Sequence, residues 1–198
     1  METGGAAARP KSCTKREIIL AHDIQKVAFA DVLRHFEQHH PVREGNMNAH
    51  ARECMEKAND LVHGEWAYVR LDPEEAREII LPHHISEGGT LPLIPPTGMT
   101  VRAAADKIRQ ITLPVYSVEN PACWKKLDYW RGRYGSPLFL SIVTVDHPDY
   151  HQVTVPDGGL VHLDGLHRLL AWDLSGRFDS FGAEGEVPAY VAGFPLTT

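Results

Sequence analysis

The stretch Val161-His162-Leu163-Asp164-Gly165-Leu166-His167-Arg168-Leu169-Leu170-Ala171-Trp172 decides the fold of this 198-residue chain. It reads as a strand from Leu160 to Leu163, a turn at Asp164-Gly165, and a helix from Gly165 to Leu174 that Gly176 ends. Such a junction leaves several backbone amides without intrahelical partners beside His167 and Arg168, and that is an anion site. Glycine lets a phosphate approach the main chain closely, arginine can grip it with a two-pronged fork, and histidine can supply a hydrogen bond or a proton. Asp164 can orient His167 or bind Mg²⁺. A plainer account is open too: Asp164 as helix cap, Gly165 as turn residue, His167 and Arg168 as solvated residues of a first turn.

Downstream of this stretch, Val187 to Val191 is a final strand. Upstream, Pro156-Asp157-Gly158-Gly159 is a tight turn of the kind that joins antiparallel strands, here Gln152 to Val155 and the strand beginning at Leu160. Leu138 to Val145 is an apolar run of strand length. Ala122 to about Arg133 reads as a helix stopped near Gly135, Glu119-Asn120-Pro121 as a turn, and Pro114 to Val118 as a strand. This order describes a small α/β (α+β) domain on a mixed or mostly antiparallel sheet.

The first hundred residues have a different character. Residues 1–12, METGGAAARPKS, are small and polar and read as a disordered leader. From Thr14 to about His40, apolar residues including Ile18, Ile24, Val27, Val32 and Phe36 recur at helical spacing, with Pro41 as the limit. A second helix runs from about Asn48 to Leu61, with Gly64 as its stop. Trp66 to Leu71 alternates as a short strand. Asp72-Pro73-Glu74-Glu75 then opens a short helix with a cap, a first-turn proline and two acids favoured by the helix dipole. Pro82 to Pro96 carries too many Gly and Pro residues for regular structure and reads as a linker or site-flanking loop. Thr100 caps a helix from Val101 to Gln110. The division expected is a leader at 1–12, a mainly helical region at 13–100 and an α/β domain at 101–198.

Composition excludes several classes. With 43% hydrophobic and 23% charged residues the chain is an ordinary globular one, and a formal charge of −6 gives no field that draws it to DNA or an anionic membrane. No apolar run reaches the roughly 18 residues of a membrane span, and the first ten residues lack a signal peptide's apolar core, so the expected location is the cytoplasm. Cys13, Cys54 and Cys123 are odd in number and lack CxxC spacing, which suits reduced thiols buried as small hydrophobes. Histidine is frequent, at twelve residues, with pairs at His39-His40 and His83-His84. His50 and Cys54 share a helix face, but nothing nearby in sequence completes a metal site. His83 and His84, just before the α/β region, can edge an active site. Trp124, Tyr129, Trp130 and Tyr134 follow Glu119 on one helix and serve either as core or as a wall for a substrate or base. Lys125, Lys126, Arg131 and Arg133 on the same segment form a basic patch that suits an anionic ligand, or a solvated helix face.

With its flanks, DGLHRLLA at 164–171 resembles the ParB/sulfiredoxin superfamily, whose hallmark is a strand leading through a glycine turn into a helix with the pattern DG-x-HR-xx-A. Pro114–Val118, Asn120-Pro121, the following helix and Ser136-Pro137-Leu138 resemble that family's first strand, its Asn-Pro loop, its helix and the lead into its next strand. The resemblance covers roughly residues 111–193. It implies a small mixed sheet and nucleotide phosphates placed at this turn by Gly165, Leu166, His167 and Arg168. Sulfiredoxins carry a cysteine where this chain has Leu166, so their redox chemistry is not expected. Partition proteins add an Arg-rich motif and a helix-turn-helix domain, whereas this sequence stops at Thr198, so DNA partitioning is not expected either. The small-molecule kinase branch, typified by free-serine kinases, remains closest. It implies a phosphotransferase using ATP or ADP with Mg²⁺ on a small hydroxylated metabolite, an amino acid being one such. Glu119 would be the general base, Asp164 and His167 would be catalytic, Asp164 would hold the metal, and Trp124 and His84 would contact substrate. Two alternatives stand beside this: a regulatory nucleotide-binding module without catalysis, and an enzyme that seats a non-nucleotide anion at the same turn. The N-terminal helices would pack on the domain and restrict the substrate, or serve as a homodimer surface. No DNA or membrane partner is expected.

Overall fold

The computed structural model describes residues 24–40, 47–85, 91–111, 113–133, 135–180 and 186–195. The expected leader, the Thr14 start of the first helix, Cys13, Pro41 and Tyr134 lie outside the described residues. In chain order the elements are β1 (Gln25–Val27), α1 (Phe29–His39), α2 (Met47–Leu61), β2 (Trp66–Leu71), α3 (Pro73–Arg77), β3 (Ile80–Leu81), β4 (His84–Ile85), β5 (Pro92–Ile94) and β6 (Met99–Thr100). There follow α4 (Val101–Ile111), α5 (Leu113–Glu119), α6 (Pro121–Trp130), β7 (Leu138–Ser141), a 3₁₀ turn at Pro148–Tyr150, β8 (Val161–Asp164), α7 (Leu166–Leu174), α8 (Arg177–Ser180) and β9 (Val187–Ala192).

Seven strands form one mixed sheet in the order β1-β2-β9-β7-β8-β3-β6. β9 runs antiparallel to β2 and parallel to β7, β7 is antiparallel to β8, and β8 is parallel to β3. The α/β class with a mixed sheet is therefore as expected. Strands from both sides of residue 100 interleave in it, so the sheet does not divide where the composition changes.

Period-two alternation sorts side chains to the two faces. Trp66, Phe139, Val161, Leu163 and Ala192 share one core with Val32 and Phe36 of α1 and Ala51, Cys54, Met55 and Ala58 of α2. Ala67, Val69, Leu71, Leu138, Leu140, Ala189 and Val191 face the other core, built with α4, α6 and α7. Helices thus cover both faces, and α1 and α2 spend their apolar sides on the sheet of their own chain. Gly64 ends α2 with φ +79°, and the Asp72 carboxylate and Glu75 form a reciprocal capping box on α3.

Four sequence expectations are corrected. Gln25–Val27 is an edge strand on β2 rather than part of a long first helix. Pro82–Pro96 contains the paired strands β4 and β5. Gln152–Val155 joins no strand: Val153 N–H donates to Tyr150 O at 2.9 Å instead of to a ladder, so the turn at 156–159 links a loop to β8. Pro114–Val118, matched to the family's first strand, is helical, with Ser117 Oγ donating to Pro114 O at 2.8 Å and Asn120 N–H to Tyr116 O at 2.8 Å. Only Tyr116 of that segment is buried, and Val115 and Val118 are exposed. A strand with no neighbour strand has nothing to hold it, and local helical bonds win.

Candidate functional site

β8 delivers His162 and Asp164 to the head of α7, and the junction is tightly determined. Gly165 has φ +111°, and a Cβ there would stand 2.5 Å from Leu138 Cδ2, so glycine is required both by conformation and by space. Leu169 N–H donates to Gly165 O at 3.0 Å, the first helical bond. The Leu166 N–H donates to His162 Nε2 at 2.7 Å, so an imidazole caps the helix where Asp164 was the expected cap. His162 is therefore the Nδ1–H tautomer, and this Nδ1, buried, finds no partner among the described residues. Burial, helped by Arg168 and His84 and opposed by Asp164, pushes the His162 pKa down to about 4, so the ring is neutral.

Arg168 is 2% exposed and committed inward. Its guanidinium donates to Asp164 Oδ2 at 2.7 Å, to Ser136 Oγ at 2.8 Å and to the Ser136 carbonyl, and it lies 5.6 Å from the centre of the Trp130 ring. The arginine read as a phosphate fork is thus the clamp that holds the turn against the start of β7. Asp164 likewise turns to Arg168 and, at 3.5 Å, to His40 Nε2, rather than to His167.

The turn opens on a cavity of about 520 Å³. Asp164, Gly165, Leu166, His167 and Arg168 form one wall, with Lys126 and Trp130 of α6 beside them. His83 and His84 line a second side, and His50, Ala51 and Asp149 a third. Of the expected site residues, all five of the turn and His84 therefore share this space. Glu119 is exposed at the end of α5 and Trp124 packs beneath Arg131, at 5.5 Å, and neither lines the cavity. Trp130 is the aromatic of that helix which does.

Sequence reasoning missed what lies behind this wall. Cys123, 3% exposed in the first turn of α6, has Sγ 3.0 Å from His84 Nε2 and 3.3 Å from His167 Nε2. The hairpin carrying His84 is fixed by Lys107 Nζ donating to Pro92 O and Leu93 O at 2.9 and 2.7 Å, and by Asn120 Nδ2 donating to Leu91 O at 3.2 Å. Burial holds the His167 pKa well below the usual imidazole value, and the neighbouring His84 adds to it. A second group, His50, Cys54 and His147, completes the helix-face pair seen in the sequence with a residue from the loop after β7. Burial pushes its thiol up to about 12. His50 Nε2 lies 3.4 Å from Asp149 Oδ2, and His147 Nδ1 accepts from Asp149 N–H at 3.2 Å.

Mg²⁺ seeks oxygen ligands in octahedral array, and among the described residues the acids on the cavity wall are Asp149 and Asp164. One oxygen of Asp164 is already held by Arg168. The donors that converge here are nitrogen and sulfur, which do not fit a dedicated Mg²⁺ site. Among the described residues no helix is long and apolar enough to cross a membrane. Comparisons with curated proteins and with solved structures gave no match. A family model matches residues 22–198, from before β1 to beyond β9, and the chain accordingly belongs to DUF6309, a family of unknown function.

Proposed function

We propose that the protein is a small-molecule enzyme that seats a phosphate-bearing ligand against the Asp164–Arg168 turn. In its most specific form it is an ATP- or ADP-dependent phosphotransferase of the ParB/sulfiredoxin type, acting on a small hydroxylated metabolite. The observation that carries this reading is the opening of the turn itself: the first turn of a nine-residue helix, begun by a left-handed glycine, lines the cavity wall. Helix starts favour anions through their free amides and dipole. Lys126, which supplies a cation on the wall next to the turn, supports it.

The roles differ from those the resemblance implies. Arg168 positions the turn and does not reach for phosphate. A transfer to a hydroxyl needs a proton acceptor, and Asp149, with His50 at 3.4 Å, is the carboxylate of the cavity wall that no arginine among the described residues holds. We assign it that task in place of Glu119.

Thermal unfolding with ATP, ADP, CTP or AMP, with and without Mg²⁺, tests the reading. A ligand held at 100 times its Kd stabilises by about 2.7 kcal/mol, which for a chain of this size raises Tm by roughly 5–10 °C. No shift with any nucleotide would overturn the nucleotide reading. A shift with no turnover in any hydroxyl-substrate screen would make the protein a binding module.

A further inference from the structure

We propose that His84 Nε2, Cys123 Sγ and His167 Nε2 bind a divalent transition-metal ion, zinc by ligand type, whose fourth coordination position faces the cavity. This goes beyond the phosphotransferase reading and stands whether or not the cavity takes a nucleotide.

Three observations carry it. First, the donor atoms already converge: two imidazole nitrogens lie 3.0 and 3.3 Å from one sulfur, and all three atoms lie within 4.8 Å of one another. Tetrahedral zinc, with Zn–S near 2.3 Å and Zn–N near 2.05 Å, separates sulfur from nitrogen by about 3.6 Å. The set therefore needs to spread by only a few tenths of an ångström to admit the ion. Second, the two rings meet edge to face, with centroids 5.3 Å apart and planes at 81°. Edge-to-face contact is also a common packing geometry, but here it lets both Nε2 atoms reach the one sulfur. Third, the three ligands come from three separate elements, β4, α6 and α7, so the site is brought together by the fold.

The coordination is open on one side. Cys123 stands at the back, buried, while His84 and His167 line the cavity. Three protein ligands and one free position is the arrangement of catalytic zinc sites, where the ion polarises a carbonyl or phosphoryl oxygen or lowers the pKa of a bound water. A thiolate with two imidazoles selects a borderline or soft ion over Mg²⁺ or Ca²⁺. The second group, His50, Cys54 and His147, also has its ligand atoms within 4.8 Å of one another, but is the weaker candidate because His50 Nε2 and His147 Nδ1 are engaged with Asp149.

The test uses the full chain, stripped with a chelator, reloaded with Zn²⁺ or Co²⁺ and desalted. Metal analysis is expected to find one equivalent that disappears in Cys123→Ser and in His84→Ala and survives in Cys54→Ser. The cobalt form should show thiolate-to-metal charge transfer in the near-ultraviolet that Cys123→Ser abolishes. Circular dichroism of each variant separates lost binding from lost folding, and the His84 variant, at a hairpin edge, covers the case in which Cys123→Ser does not fold. An equivalent lost with Cys123 supports the site even if a further one is lost with Cys54. No retained metal in the parent, or retention unchanged in both Cys123→Ser and His84→Ala, overturns it. Nucleotide shifts measured on the stripped protein keep the two readings apart: a shift without metal retention leaves the phosphotransferase and removes the zinc.

Discussion

Helix α7 carries a polar cluster at each end, and the two are built on opposite plans. At its C-terminal end Asp173, 3% exposed, accepts from Arg77 Nε and from Arg109 Nη2, both at 2.8 Å, and Arg77 extends the network to Glu74 and Asp179. Those groups satisfy one another, and they tie α3, α4, α7 and α8 together. At the N-terminal end the groups close less completely: His162 Nδ1 has no partner among the described residues, two imidazoles share one sulfur, and His84, His162 and His167 line a cavity. A polar cluster whose members use up each other's donors and acceptors maintains the fold. One that leaves a buried donor such as the His162 Nδ1–H unpaired among the described residues, beside an open volume, is equipped to hold something else.

The largest expected effect tests the closed end. Asp173→Ala leaves the buried Arg77 facing a missing carboxylate, and denaturant titration should show a loss of about 3–5 kcal/mol. A loss under about 1 kcal/mol would mean that the network is ornamental and the contrast is lost. An intermediate effect tests the open end through pH. His162 is held neutral in the fold down to about pH 4, while its unfolded form protonates near 6.5. The unfolded state therefore binds the extra proton as pH falls, and stability, full above 6.5, is lost between 6.5 and 4 by up to about 3 kcal/mol. Urea midpoints of metal-stripped protein at pH 7.5 and 5 should record this loss, reduced in His162→Gln, whose amide oxygen can still accept from Leu166. An equal loss in that variant would assign the dependence to other groups. The smallest effect on stability is expected for Lys126→Ala, within about 0.5 kcal/mol because the side chain is exposed, yet this change should diminish any nucleotide-induced Tm shift. An undiminished shift would remove Lys126 from the ligand contacts.

Most elements were legible because their local signals agreed with their surroundings. The strands at Trp66, Val161 and Val187, the helix start at Asp72 and the stops at Gly64 and Gly176 read correctly, since alternation, capping and left-handed glycines are local physics. Leu113–Glu119 was misread because Val115, Tyr116 and Val118 favour strand and nothing in the sequence says that no neighbour strand is there. The cavity wall at 164–168 was legible as a motif. What its arginine does was not, because Ser136, its partner, lies 32 residues away. Cys123 read as a small buried hydrophobe for the same reason: His84 and His167 are 39 and 44 residues from it, and only the packing of three elements makes them neighbours. His50 and Cys54 were visible as a pair, their third member being invisible until the loop after β7 was placed.

The strand order carries a consequence for how the chain reaches this structure. β9 lies between β2 and β7, so among the described residues the two parts of the sheet are joined through residues 187–192. Until that segment arrives, Trp66–Leu71 and Leu138–Ser141 each present an unpaired edge, and the sheet closes by the most distant contacts available to the chain. Such topology folds slowly and leaves sticky intermediates during synthesis. A chain cut before Val187 should therefore not make a smaller version of this protein but an aggregate.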